Sequence, residues 1–288
     1  MEDIIIENHE QFKVTEITEG LLRILMPGDV YAYLAVGAER AMLIDTGYGI
    51  GAFRPLVEKL TDKPYDVLLT HGHVDHAGGA AEFDTVFMDL RDLPIAKEHT
   101  TKQMRIDFLQ GSPQENGKEA PGPESLLEAR PLDAYLPLED GQEFDLGGMT
   151  LKVLSLTGHT PGSMAVLFKE AGLLLTGDAV NSMTLLSLDG CLTVHEYRDS
   201  LVRFKDKLAA AVPDTGALRV LYSHPHNFGG PEIIDEMIEV CDEIMARTAD
   251  NISVPGRPGI LAKAMDFEHG MKRIDGKSAN LVYIPDRI

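Results

Sequence analysis

Thr70-His71-Gly72-His73-Val74-Asp75-His76-Ala77-Gly78-Gly79 places three histidines and an aspartate within six residues, directly after the apolar run at 66–69 (DVLL). On a strand, His71 and His73 would point to one face; in a tight loop all four side chains can converge. Neutral imidazole and carboxylate are donors that zinc prefers. The small residues flanking the cluster permit a tight backbone. The segment is read as a metal-binding loop rather than a solvated histidine-rich turn.

Three other places repeat the pattern of a ligand-type residue at the C-terminal end of an apolar strand. His159 lies in Gly158-His159-Thr160-Pro161-Gly162-Ser163 after residues 151–156, Asp178 follows residues 173–175 in Thr176-Gly177-Asp178, and His224 follows residues 219–222 in Ser223-His224-Pro225. Sheet proteins gather their sites at such strand ends. Five imidazoles and two carboxylates are too many for one tetrahedral zinc and suit two. Two dications and two carboxylates leave the site positive, so a bound water would ionise near neutral pH and attack a carbonyl carbon. Asp75 is the candidate to orient that hydroxide and carry its proton to the leaving group.

The rest of the chain supplies the frame. Residues 12–26, 30–36 and 41–45 are β-rich runs separated by turn signals, 53–60 has helical spacing, and 66–69 and 85–88 read as strands. Residues 92–110 look helical. The Gly/Pro/Glu-rich stretch GSPQENGKEAPGPES, within a polar insertion at about 100–135, reads as an exposed loop, with a lid beside the site as the alternative. Strands resume at 142–144, 151–156, 164–168 and 173–176, then a helix at 195–211, a strand at 219–222, a helix at 232–247 and a strand at 280–284. Strand-rich and helix-containing stretches occur on both sides of the polar insertion. The expectation is one domain, 1–288, of two similar halves with sheets inside and helices outside, ending in a helix and tail at about 231–288.

The composition bounds the partners. Acidic residues number 46 against 26 basic, a formal charge of −20, which counts against nucleic acid and against anionic membranes. Two cysteines, Cys191 and Cys241, cannot build a disulfide framework, and the N-terminus carries no signal-peptide pattern; a cytoplasmic setting is expected. Among the remaining histidines, His9, His99 and His269 lie in polar surroundings and read as solvated, and His195, after Thr193-Val194, reads as a surface residue in the first turn of a helix. His226, Tyr48 and Asn181 are candidate substrate contacts. Cys191 reads as a small core residue, and 232–243 as a solvated acidic face with an apolar stripe of Ile233, Ile234, Met237, Ile238 and Cys241.

The combination of Leu43-Ile44-Asp45-Thr46-Gly47, His71-x-His73-x-Asp75-His76, His159 in GHTPGS, Asp178 in TGD and His224 resembles the metallo-β-lactamase superfamily over nearly the whole chain. The resemblance implies an α/β fold, a four-layer αββα sandwich of two mixed sheets packed face to face with helices outside. It implies that His71, His73 and His159 hold one metal, that Asp75, His76 and His224 hold a second, and that Asp178 bridges them. Two Zn²⁺ are expected, with iron or manganese as alternative occupants, and Asp45 orients the ligand loop. Members are often homodimers.

Departures narrow the chemistry that the resemblance implies. The commonest zinc β-lactamases use a cysteine on the second metal where Asp178 stands here, so β-lactam cleavage is expected only as a side activity. Flavo-diiron branches carry a glutamate where this chain has His73. Lactonases often place a tyrosine shortly after the bridging aspartate, where Asn181 and Ser182 stand. The basic residues with which a glyoxalase II binds glutathione are not placed in the tail, although Arg257, Lys263, Lys272 and Arg273 supply basic charge there. The expected activity is a dinuclear zinc hydrolase cleaving a small ester, lactone or thioester; a mononuclear iron oxygenase of the persulfide dioxygenase type is the alternative.

Overall fold

Runs rich in apolar side chains from residue 12 onward produce strands buried along most of their length, and the glycine-containing turns between them set the hairpins. The computed structural model describes the backbone of residues 4–8, and residues 11–51, 53–111 and 122–288 in full. The chain divides into two units, the first comprising Met1–Lys152, Phe168–Ala171 and Ser223–Pro225.

In the first unit, Ile4–Asn8 (β1), Lys13–Thr18 (β2), Leu21–Met26 (β3), Val30–Val36 (β4) and Ala41–Ile44 (β5) pair antiparallel in chain order. The sequence reading leaves out β1 and treats 12–26 as one run, which the structure divides at the Glu19-Gly20 turn, where Gly20 has φ +75°. Phe53–Leu60 (α1) is helical because Phe53, Leu56 and Val57 fall on one buried face, and the Glu82 carboxylate receives the Phe53 and Arg54 amides at its N-terminus. Tyr65–Leu68 (β6) then joins β5 in parallel, and after Val74–Ala77 (α2) the strand Val86–Met88 (β7) joins β6 in parallel.

Leu93–His99 (α3) and Lys102–Gly111 (α4) follow, and Leu136–Pro137 (β8) completes a mixed eight-stranded sheet. The predicted insertion is described on both flanks: Leu109, Leu126 and Tyr135 are buried in the first unit's apolar cluster. Residues 112–121, the polar centre of that insertion, lie outside the described residues, as does His9. Glu143–Asp145 (β9) pairs antiparallel with the start of Thr150–Ser155 (β10).

The second unit comprises Val153–Leu167, Gly172–Tyr222 and His226–Ile288. Met164–Phe168 (β11) and Leu173–Leu175 (β12) are buried along their whole length, as expected of central strands. The remaining elements are Thr184–Leu186 (β13), Val194–Ala211 (α5), Arg219–Leu221 (β14), Ile233–Met245 (α6), Asn251–Ser253 (β15), Leu261–Lys263 (β16), Met265–Asp266 (β17), Lys272–Arg273 (β18) and Leu281–Tyr283 (β19). One sheet runs β14-β12-β11-β10-β9 and another β13-β19-β16-β15, with β17 and β18 as a separate pair. The short strands β13 and β15 to β18 are absent from the sequence reading.

Helix α5 begins in a capping box between Thr193 and Glu196 and buries Val194, Tyr197, Leu201, Phe204 and Leu208. The buried stripe of α6 is Ile233, Ile234, Met237, Val240, Cys241 and Ile244; Ile238 sits at its margin, one step round the helix from the prediction. Among the described residues no helix is long and apolar enough to cross a membrane.

Candidate metal centre

The parallel register of β5 and β6 sets Ile44 opposite Leu68, so the chain leaves both strands side by side at Asp45 and at Leu69-Thr70. Asp45 is buried and, although not glycine, has φ +65°. That conformation costs roughly 1–3 kcal/mol and persists where the surroundings impose it. Here they do. One Asp45 carboxylate oxygen accepts the Thr70 amide at 2.8 Å; the other accepts the Thr70 hydroxyl at 2.8 Å and faces His76 Nδ1 at 2.9 Å. The Thr70 hydroxyl also stands 3.1 Å from His71 Nδ1. With its own proton given to Asp45, that oxygen accepts from His71. Both rings therefore carry their proton on Nδ1 and present an Nε2 lone pair.

The neighbouring ligand-type residues follow the same rule. His224 Nδ1 donates to the Asp29 carbonyl at 2.8 Å, which leaves its Nε2 as an acceptor. Asp29 is itself left-handed, with φ +55°, and the Tyr31 amide donates to the Ser223 carbonyl at 2.7 Å, fastening the His224 segment to β4. The Gly72 amide, between His71 and His73, donates to buried Asp92 at 2.8 Å. His73 precedes α2 in an extended conformation, while Asp75 and His76 lie on that helix.

The spacing of the donor atoms suits a metal. Two donors on one tetrahedral zinc stand about 3.3 Å apart for bonds of about 2.0–2.1 Å. His71 Nε2 and His73 Nδ1 are 3.1 Å apart, and Asp75 Oδ2 is 3.4 Å from both His76 Nε2 and His224 Nε2. His71, His73 and His76 are buried, while Asp75 and His224 are partly exposed. Rigid imidazoles thus form the floor, with an accessible carboxylate beside them.

In the second unit, the turn after β10 carries His159 and the turn after β12 carries Asp178, with His159 Nε2 3.8 Å from Asp178 Oδ2. His159 Nδ1 donates to the Leu185 carbonyl at 2.8 Å, again leaving Nε2 as the acceptor. The buried Cys191 thiol donates to the His159 carbonyl at 3.0 Å, and burial pushes it up to about 11. Tyr197 ties the two turns together. Its ring fills the space over Gly158, where a Cβ would come within 2.0 Å of it, and its hydroxyl donates to the Ala179 carbonyl at 2.5 Å.

Other predicted residues have different surroundings. Tyr48 is enclosed in the apolar cluster of the first unit, its ring pressed against Gly28. The Asn181 amide oxygen accepts from the Met183 amide and closes the 181–184 turn. His226 is exposed. His99 departs from its predicted solvated setting: it is partly buried and stacks on the His73 ring at 4.6 Å between centroids, because the end of α3 packs beside the ligand turn. His195 and His269 are exposed. Of the basic residues in the tail, Lys263 pairs with Glu243 and Asp250, and Arg273 pairs with Asp275 and donates to the Ala279 carbonyl. Sequence reasoning missed Thr70, Asp92, His99 and Tyr197 as supports of the ligand-type residues.

The comparisons with known proteins point one way. A beta-lactamase-like protein 2 homolog of Caenorhabditis elegans is 25% identical over 215 residues, 73% of this chain and 58% of that protein. The chain therefore spans little more than half of that relative's length. The human acyl-coenzyme A thioesterase MBLAC2 is 23% identical over 213 residues, 70% of this chain and 75% of that protein. A solved metallo-beta-lactamase family protein of Thermus thermophilus superposes with a TM-score of 0.51 at 26% identity, covering 81% of each chain. The profile of the metallo-beta-lactamase superfamily matches residues 25–224, from the end of β3 to His224. The chain belongs to the metallo-beta-lactamase superfamily.

Proposed function

We propose that this chain, a metal-dependent hydrolase of that superfamily, works with two zinc ions and cleaves a small ester, lactone or thioester. In this reading His71, His73 and His159 hold one ion, Asp75, His76 and His224 hold the other, and Asp178 serves both. The observation that carries it is the donor set: His71, His76, His159 and His224 each have Nδ1 engaged by an oxygen partner, which makes Nε2 the atom each would offer a metal. Bound there, zinc would lower the pKa of water toward neutrality and stabilise charge developing on the substrate's carbonyl oxygen.

The protein's own groups do the remaining work. Asp75 is partly exposed, and with Oδ2, which lies beside two imidazole nitrogens, given to the metal, its other oxygen would carry a proton to the leaving group. The Asp45 carboxylate accepts from His76 Nδ1 and keeps that ring from turning. The name of the human relative, an acyl-coenzyme A thioesterase, favours a thioester within the three classes. The substrate is a small molecule, as the acidic surface disfavours nucleic acid and anionic membranes.

Metal analysis of protein purified without added metal tests the reading. About two zinc per chain supports it, and about one iron supports the oxygenase instead. A panel of chromogenic esters, lactones, acyl thioesters and a cephalosporin then assigns the class. Thioester turnover that disappears with a chelator and returns with zinc is expected; no hydrolysis of any member would overturn the reading.

A further inference from the structure

Arg105, on α4, is the largest fully buried side chain among the described residues. Among the described residues, the hydrogen-bond acceptors of its guanidinium are backbone carbonyls. Nη1 donates to Tyr48 O at 3.3 Å, Gly49 O at 3.4 Å and Gly78 O at 3.2 Å, and Nη2 donates to Leu127 O. A guanidinium is costly to bury when no carboxylate is hydrogen-bonded to it, and burial lowers its pKa against the opposing pull of the Glu128 charge. Its surroundings explain why it is held there.

Gly78 directly follows α2, the four-residue helix that carries Asp75 and His76. Tyr48 and Gly49 continue the turn that begins at Asp45. The two segments are fastened backbone to backbone: Thr46 gives its amide and hydroxyl to His76 O at 2.8 and 2.7 Å, and the Gly79 amide donates to Gly47 O at 3.0 Å. They meet so closely that a Cβ on Gly49, at φ +73°, would lie 2.3 Å from Gly78 O. This closeness directs the Tyr48, Gly49 and Gly78 carbonyls at one point, where they would repel one another and add to the negative end of α2. The guanidinium occupies that point.

We propose that Arg105 is a positioning residue for the metal-binding turn: its charge holds the 45–49 and 76–79 segments together and thereby sets Asp75 and His76 for the second metal. The proposal rests on the metal-centre reading above. A planar fork reaches several converging carbonyls, while a lysine ammonium supplies the charge without that geometry. Arg130 offers an internal control. It grips the Phe83, Asp84 and Ala134 carbonyls at 2.6, 2.8 and 2.9 Å, beyond the ligand turn, with only a 3.4 Å contact to Ala80 O.

The test uses full-length wild type, R105M, R105K and R130M, stripped of metal. Zinc affinity is measured by chelator competition, ligand geometry by the visible spectrum of the cobalt(II) form, and apoprotein stability by thermal melting. R105M is expected to bind one of two zinc ions about 10–100-fold more weakly, with an altered cobalt spectrum. R105K should recover part of that loss, and R130M should melt earlier while keeping wild-type affinity. Wild-type affinity and spectrum in folded R105M would overturn the proposal, and R105K decides in the same way if R105M does not fold. An equal affinity loss in R130M would also overturn it, by reducing the effect to general destabilisation. A wild-type chain that takes up no zinc would overturn the metal-centre reading and this proposal with it.

Discussion

The two units hold their ligand-type residues by different means. In the first, the supports are charged or strained: buried Asp45 in a left-handed conformation, buried Asp92 on the Gly72 amide, and buried Arg105 on three converging carbonyls of the turn. In the second they are neutral: a backbone carbonyl for His159, a thiol, and a tyrosine spanning two turns. Ionic hydrogen bonds in a dry interior are stronger than neutral ones, and losing one partner leaves a buried charge behind. The first unit's geometry should therefore be stiffer and more sensitive to single changes outside the ligands, whereas the second should be sensitive at the ligands themselves.

That contrast can be broken by mutation. The largest effect is expected at a ligand-type residue of the second unit: Asp178→Asn should reduce kcat/KM by roughly 1000-fold while the melting temperature of the apoprotein stays near wild type. Near-normal turnover would remove Asp178 from the site. Next comes Asp45→Asn, which keeps size but removes charge. Its zinc affinity should fall about 10–100-fold by chelator competition. Arg105→Met belongs in the same range, by the experiment described above.

Tyr197→Phe should be milder, with about 1 kcal/mol lost in denaturant unfolding and zinc affinity close to wild type. If it weakened zinc as much as Asp45→Asn, the distinction between the units would fail. Cys191 is expected to show the smallest effect. With its pKa pushed up to about 11 by burial, its reactive thiolate is scarce at neutral pH and increases only as the pH rises toward that value. Mass spectrometry should find it unmodified by iodoacetamide in the folded protein at neutral pH, and alkylated after unfolding.

The sequence displays the ligand-type residues better than their supports. His71, His73, Asp75 and His76 form a local pattern, and His159, Asp178 and His224 each end an apolar strand, so periodicity and residue type suffice to pick them out. Arg105 leaves no such trace. In KQMRIDFLQG it looks like any solvent-facing helix arginine, and only tertiary packing puts it in the interior. His99 is similar, since its polar neighbours suggest exposure while α3 lies against the ligand turn, and nothing local marks Asp92 as the acceptor of the Gly72 amide. Long apolar strands and the two long C-terminal helices were legible. The two- and three-residue strands β13 and β15 to β18 were not, because they are too short for a period to show.

The pairing of Ile44 with Leu68 has a consequence for how the protein ages and mutates. Asp45 and Thr70 meet only because their strands are in that register, and a slip of one residue would turn every side chain of a strand to the opposite face. Metal retention therefore gauges how well the core is laid. A conservative trimming of the buried strand interior, such as Leu43→Ala, should show up first as faster zinc release to a chelator, under conditions where the bulk of the fold still looks intact.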